Sequence, residues 1–329
     1  MSRTDPRQLL KALLAAVVLL VCVVAATRPV APDAPPPPRP PAASADTLTA
    51  RYQSVHHYLL TAARTAHRAG DPGRARSLER LAAGGRTFWS ADARGDGQAV
   101  EVLGDLAGAD RIAVLVPGSD TTLDSFDHLG SPNASLHSGA LALRAQAHRL
   151  APRTHLAVVA WYGYRAPHTI SSDVMSTARA DEGAPRLDRL LTQLHAVNPA
   201  APTTLLCHSY GTVVCGAALH TARPAVTAAL HAVALYGSPG TGVESAADLA
   251  PGVAVWAGRA ANDWIARVPH VHLDLLGRQW GFGPDPTSPA YGAHRFAAGD
   301  GSHSDYLHPG PALRNLTLLT LGRTPQTAR

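Results

Sequence analysis

Thr204-Leu205-Leu206-Cys207-His208-Ser209-Tyr210-Gly211-Thr212-Val213-Val214 is an apolar run, a short polar interruption and a second apolar run. This is the pattern of a strand that turns sharply into a helix and lifts a serine hydroxyl above the end of a sheet. Such a turn holds the serine in a strained backbone conformation. It also requires small residues two positions before and two positions after. Gly211 meets the requirement on the helix side. On the strand side Cys207 stands where glycine is usual, so the motif reads C-x-S-x-G.

Outward from this turn the chain alternates strand and helix. Strands are predicted at 111–116, 155–161, 203–208, 232–236 and 253–256, with a last one at 271–275. Helices are predicted at 139–150, 184–197, 209–221 and 311–321. Such alternation implies parallel strands joined by crossover helices. Before the first of these strands, 86–91 and 99–103 flank Arg94-Gly95-Asp96-Gly97, which reads as a hairpin. Residues 47–84 carry apolar positions at three- and four-residue intervals (Tyr52, Val55, Tyr58, Leu59, Ala62, Ala63), broken at Asp71-Pro72-Gly73. They read as helices packed ahead of the sheet.

Composition bounds the function. The chain has 329 residues, 46% hydrophobic and 16% charged, with a net charge of +5. Five cations against two aspartates fall in the first 45 residues, leaving the rest too weakly charged for a nucleic-acid partner. Arg3, Arg7 and Lys11 precede an unbroken apolar run from Ala12 to Ala26. That describes a secretory signal or an uncleaved membrane anchor over residues 1–28. The proline-rich stretch 29–45 reads as a spacer outside the fold. The remainder, 46–329, reads as one α/β domain with a helical extension at 46–84, exported or tethered to the outer face of the membrane. Of the three cysteines, Cys22 lies in the apolar run. Cys207 and Cys215 fall on a strand and about two turns into the next helix, a placement that predicts free thiols.

An activated serine needs a base within hydrogen-bond reach and an acid to orient that base. Ser209 is the candidate nucleophile. Asp263 lies on a loop after the strand at 253–256, with Glu244 and Asp248 as rivals for the acid. His303, in the polar loop Gly299-Asp300-Gly301-Ser302-His303-Ser304-Asp305-Tyr306, is the candidate base. The backbone N–H groups of Tyr210 and Ser119 are the candidate oxyanion donors, the second carried by Val116-Pro117-Gly118-Ser119-Asp120. His208 is expected to point away from Ser209. His270 and His272 share a strand face but have no third partner at metal-ligand spacing. No metal or cofactor is implied.

These segments together resemble a known family. Leu115-Val116-Pro117-Gly118, Trp161-Tyr162-Gly163-Tyr164, Cys207-His208-Ser209-Tyr210-Gly211 and Ser302-His303-Ser304-Asp305-Tyr306-Leu307 are similar to an actinobacterial α/β-hydrolase family of undefined substrate, as is the Arg94–Gly97 turn. The resemblance runs from about residue 85 to the last helix. It implies an α/β-hydrolase fold with a mostly parallel sheet and a Ser-His-Asp triad. Cys207 and Asn262-Asp263-Trp264 depart from the family pattern.

Trp161, Tyr162 and Tyr164 end the strand beside the turn and are expected to line the substrate pocket. An aromatic, weakly charged wall favours a small-molecule or lipid-like ester. Residues 264–302, rich in Gly, Pro and aromatics, are a candidate lid. The reading is a serine hydrolase of carboxylic esters. Its alternatives are an acyltransferase using the same residues, or an inactive binding protein on the same scaffold.

Overall fold

Strand residues alternate between two cores. The computed structural model describes residues 34–127, 135–270, 273–275 and 278–328. In β3 (Arg111–Val116), Ile112, Val114 and Val116 enter one core while Ala113 and Leu115 enter the other. In β5 (Thr203–His208), Leu205 and Cys207 face the first core and Leu206 the second. A strand buried on both faces reads as a near-continuous apolar run, as these do.

Among the described residues the sheet has eight strands. The hairpin β1 (Thr87–Asp92) and β2 (Gln98–Leu103) lies at one edge. It is followed in space by β4 (Leu156–Tyr162), β3, β5, β6 (Leu230–Tyr236), β7 (Ala254–Gly258) and β10 (His294–Arg295). The hairpin is antiparallel, β2 pairs antiparallel with β4, and every later pairing is parallel. One face is covered by α1 (Leu48–Arg68), α2 (Pro72–Leu81), α3 (Leu136–Leu150) and α8 (Pro311–Thr320). The other is covered by α4 (Ala178–Val197), α5 (Gly211–His220), α6 (Pro224–Ala228) and α7 (Ala246–Leu249). The α/β-hydrolase fold expected from the sequence is the fold observed.

The differences from expectation have local causes. Helix α4 begins six residues earlier than predicted and carries Pro185 in its interior. Proline disfavours an interior helical position, but Ala180 and Ala184 are buried against the sheet and hold the turn in place. The strand expected at 271–275 does not join the sheet. Its described part, β8 (Leu273–Leu275), pairs with β9 (Arg278–Trp280) in a separate hairpin. The last strand of the main sheet is β10, whose two residues are too few to show a period. The proline-rich stretch is not wholly detached. Tyr58 donates to the Pro35 carbonyl (3.0 Å) and Arg51 to that of Pro41 (2.6 Å). The apolar N-terminal run with Cys22 lies outside the described residues. Among the described residues no helix is long and apolar enough to cross a membrane.

The expectation of free thiols is also overturned: Cys207 and Cys215 form a disulfide, with Cα atoms 6.6 Å apart. Distance along the helix misleads here, because the turn at Ser209 folds α5 back over the face into which Cys207 points. Both residues sit in the same core, fully buried. The bridge therefore staples strand to helix across the turn. A Cys207→Ala/Cys215→Ala double variant is expected to lose roughly 2–3 kcal/mol from loop-closure entropy. Its melting temperature should fall by about 3–5 °C, read by circular dichroism. An unchanged melting temperature would show that the staple carries no stability.

Candidate active site

Ser209 sits at φ 53°, and among the described residues only Asp120 (φ 59°) is another non-glycine in the left-handed region. Such strain persists only where the surroundings over-determine it. Two glycines make the surroundings tight. A Cβ on Gly211 would lie 2.5 Å from the Pro117 carbonyl oxygen, and one on Gly118 would lie 2.6 Å from the Ser209 Cβ. The turn after β5 and the turn after β3 are thus pressed together, with room for hydrogen alone between them.

Ser209 Oγ lies 2.9 Å from His303 Nε2, and His303 Nδ1 lies 2.8 Å from Asp263 Oδ1. The three residues nominated from the sequence form one hydrogen-bonded series, although 94 positions separate Ser209 from His303. Asp263 is almost fully buried. Burial acts to raise its pKa, but hydrogen bonds from His303, Tyr306 and the Ile265 N–H outweigh it and hold the carboxyl below its ordinary value. An ionised Asp263 fixes the proton of His303 on Nδ1, leaving Nε2 free to accept from the Ser209 hydroxyl. Neither rival acid, Glu244 or Asp248, lines the cavity at Ser209.

Two loops hold this series. Asn262 donates to the Asp300 carbonyl (2.6 Å) and Ala261 N–H to that of Gly299 (2.9 Å), joining the aspartate loop to the histidine loop. Asp305 accepts from the N–H and hydroxyl of Ser302 (2.7 and 2.6 Å), closing the turn that carries His303. The His208 ring packs against that of His303 with centroids 4.8 Å apart. Its Nε2–H donates to the His303 carbonyl (2.8 Å). Burial lowers its pKa to about 3, with the neighbouring His303 adding to the effect, so it is a neutral donor at physiological pH.

The aromatic residues expected on the pocket wall are elsewhere. Trp161, Tyr162 and Tyr164 are at most 2% exposed, and none lines the cavity. The reason is that β4 runs to Tyr162. Trp161 therefore points into one core and Tyr162 into the other. Tyr164 has a different use. Its hydroxyl lies 2.8 Å from the Pro117 carbonyl and 3.3 Å from that of Gly118. In a trans peptide the C=O and N–H point in opposite directions. A Gly118 carbonyl drawn toward Tyr164 therefore turns the Ser119 N–H away from it. Tyr164 also stacks on Tyr210, whose own hydroxyl donates to the Ser176 carbonyl (2.7 Å). Ser119 and Tyr210 both line the cavity beside Ser209.

Two residues of the site were not anticipated from the sequence. The Tyr306 hydroxyl donates to Asp263 Oδ2 (2.5 Å) and accepts from the Ala260 N–H (3.0 Å), so it braces the aspartate. It lies three positions after His303, inside the same short motif, which is the signal the sequence offers. Gly237 (φ 57°) is the other. A Cβ there would lie 3.0 Å from Asp263 Oδ2 and 3.2 Å from His303 Cε1. Its signal is a glycine directly ending an apolar strand.

Above Ser209 opens a cavity of about 890 Å³, within the usual size for a small-molecule site. Trp264, Ile265, Val268 and Phe282 from the candidate lid line it. Trp264 is 45% exposed, and its ring centroid is 4.6 Å from that of His303. Of the two histidines weighed as a metal pair, His270 lies 3.8 Å from Asp285, and His272 is outside the described residues.

The model of an alpha/beta hydrolase family matches residues 92–273. An uncharacterized protein of Mycobacterium tuberculosis is 29% identical over 256 residues, which cover 69% of this chain and 37% of that protein. An uncharacterized protein of Mycobacterium bovis is 32% identical over 174 residues, covering 50% of this chain and 60% of that protein. The chain therefore spans less than two thirds of either relative. Among solved structures, a lid-less α/β serine hydrolase from Xanthomonas campestris aligns with a TM-score of 0.40 and 18% identity, covering 69% of this chain and 88% of that one. The esterase PE8 aligns with a TM-score of 0.42 and 17% identity, covering 66% and 94%. Scores this low carry no argument about the site. The family match spans more than half of the chain, from the end of β1 to the start of β8, and the chain belongs to the alpha/beta hydrolase family.

Proposed function

We propose that this chain is a serine hydrolase that cleaves carboxylic esters through an acyl-enzyme. The observation that carries the reading is the unbroken hydrogen-bond series Ser209–His303–Asp263 at the floor of an open cavity. In the first half-reaction His303 Nε2 takes the Ser209 proton as Oγ attacks the ester carbonyl. The carbonyl oxygen becomes an oxyanion, received by the N–H groups of Ser119 and Tyr210. His303 then gives its proton to the departing alcohol oxygen as the C–O bond breaks, leaving the acyl group on Ser209. In the second half, water gives a proton to His303 and adds to the acyl carbon. Collapse returns that proton to Ser209 Oγ and releases the acid. Asp263 stays ionised throughout and balances the imidazolium of His303.

The same reading places the domain outside the cytoplasm, secreted or anchored to the outer face of the membrane. The signal-like N-terminus supports this, as does the buried Cys207–Cys215 disulfide, a bond favoured in oxidising compartments.

The test is a fluorophosphonate probe, which phosphonylates only an activated serine. The wild-type domain is expected to take up one probe per chain, with the adduct mapped by peptide mass to the segment containing Ser209. A folded protein that takes up none, or labels elsewhere, would overturn the reading.

A further inference from the structure

A fold that buries its apolar residues leaves few large ones in water, and here their placement is not scattered. Among the described residues four large apolar side chains stand exposed, and three of them, Ile170, Met175 and Trp264, line the cavity above Ser209. Ile170 is fully exposed. Val174, Phe282 and Leu307 line the same cavity, so the apolar surface is continuous with the floor where Ser209 sits. Single exposed apolar residues need no explanation, but a group gathered around the mouth of a reaction site does.

The charge of the cavity narrows its occupant. Among the described residues no Lys or Arg lines it, and Asp120 is its one carboxylate. An anionic substrate would find no counter-charge there. Asp120 is itself engaged. Its carboxylate accepts from the Thr169 N–H (3.0 Å) and from the Thr169 hydroxyl, and its own N–H donates to the Pro167 carbonyl (3.0 Å). These bonds tie the turn that carries Ser119 to the segment that ends in Ile170. The apolar wall is thus anchored to the oxyanion turn.

We infer that the substrate is an ester with a long, uncharged acyl chain, which lies along Ile170, Met175 and Trp264 while its carbonyl sits at Ser209. The inference rests on the ester-hydrolase reading and adds the substrate class to it. Chain contact with this wall raises the specificity constant by up to about fourfold for each methylene fully withdrawn from water.

The experiment compares nitrophenyl esters from acetate to decanoate below their aggregation limits, beside nitrophenyl hemisuccinate. That ester has the carbon count of butyrate with a carboxylate at its end. For the wild type, kcat/KM is expected to rise on the order of 100-fold from acetate to octanoate, below the full-burial product because the wall is open to water on one side. Hemisuccinate should be slower than butyrate by roughly tenfold or more. In an Ile170→Ser/Met175→Ser variant the octanoate-to-acetate ratio should fall by about tenfold. Both side chains are exposed, so the substitution removes no core packing, and fluorophosphonate labelling confirms that Ser209 is still activated. A flat chain-length profile in wild type that labels normally would overturn the substrate class while leaving the hydrolase reading intact. A ratio unchanged in the variant would likewise overturn the assignment of this wall. Absence of both labelling and turnover of every ester would overturn the hydrolase reading and this inference together.

Discussion

Replacing Ser209 by alanine is expected to lower kcat on an activated ester by about 10⁶-fold, with no loss of folding. The hydroxyl oxygen is the atom that bonds to carbon in the proposed reaction, and among the described residues it is the one side-chain hydroxyl hydrogen-bonded to His303 Nε2. Its hydrogen-bond partner is His303, which keeps its anchor on Asp263 when the hydroxyl is removed. Alanine at φ 53° is no more strained than serine, so the turn should hold. Because the three residues act as a unit, adding Asp263→Asn to Ser209→Ala should cost little more. The measurement is steady-state hydrolysis of a nitrophenyl ester by the single and double variants, with circular dichroism as the folding control. Retention of more than about a hundredth of wild-type activity in the single variant would remove Ser209 from the reaction.

The second large effect is at Asp263. Asp263→Asn is expected to reduce kcat by about 10⁴-fold at neutral pH. The carboxylate is surrounded by donors: His303 and the Ile265 N–H at Oδ1, and Tyr306 at Oδ2. An amide must turn an NH2 group toward one of them, and it carries no charge to balance the imidazolium. The same geometry predicts an acid effect on stability. The carboxyl is held below its ordinary value in the folded state. The stability this confers is complete above the unfolded value of about 3.9 and is lost as pH falls through the lower folded value. Wild type should therefore lose melting temperature steeply below about pH 4, and Asp263→Asn less steeply. Parallel slopes for the two proteins between pH 7 and 3 would show that Asp263 does not titrate low.

Much of the site was legible because its chemistry is written in short local motifs. The turn at Ser209 needs small flanking residues, so its pattern survives in any sequence that makes it. The loop around His303 carries its own Asp305 brace within three residues, and Tyr306 lies in the same stretch. The aromatic residues at the end of β4 mislead for a reason of register. A strand that extends by one residue sends successive side chains to opposite faces, so Trp161 and Tyr162 belong to the core rather than the pocket. Tyr164 braces the turn after β3 instead of lining the pocket, and nothing local shows that its hydroxyl reaches a turn 47 positions earlier.

Local periodicity and turn chemistry were enough to specify alternating strands and helices and the mostly parallel sheet, and to single out Ser209, Asp263 and His303, which the fold joins by hydrogen bonds. Those signals arise from neighbours in the chain, and each can be read where it stands. The disulfide, the His208 contact with the histidine loop, the Tyr306 brace and the apolar mouth around Ile170, Met175 and Trp264 arose only on folding. Each depends on segments remote in sequence, or on the angle at which the chain leaves a tight turn, and packing of the whole domain sets both.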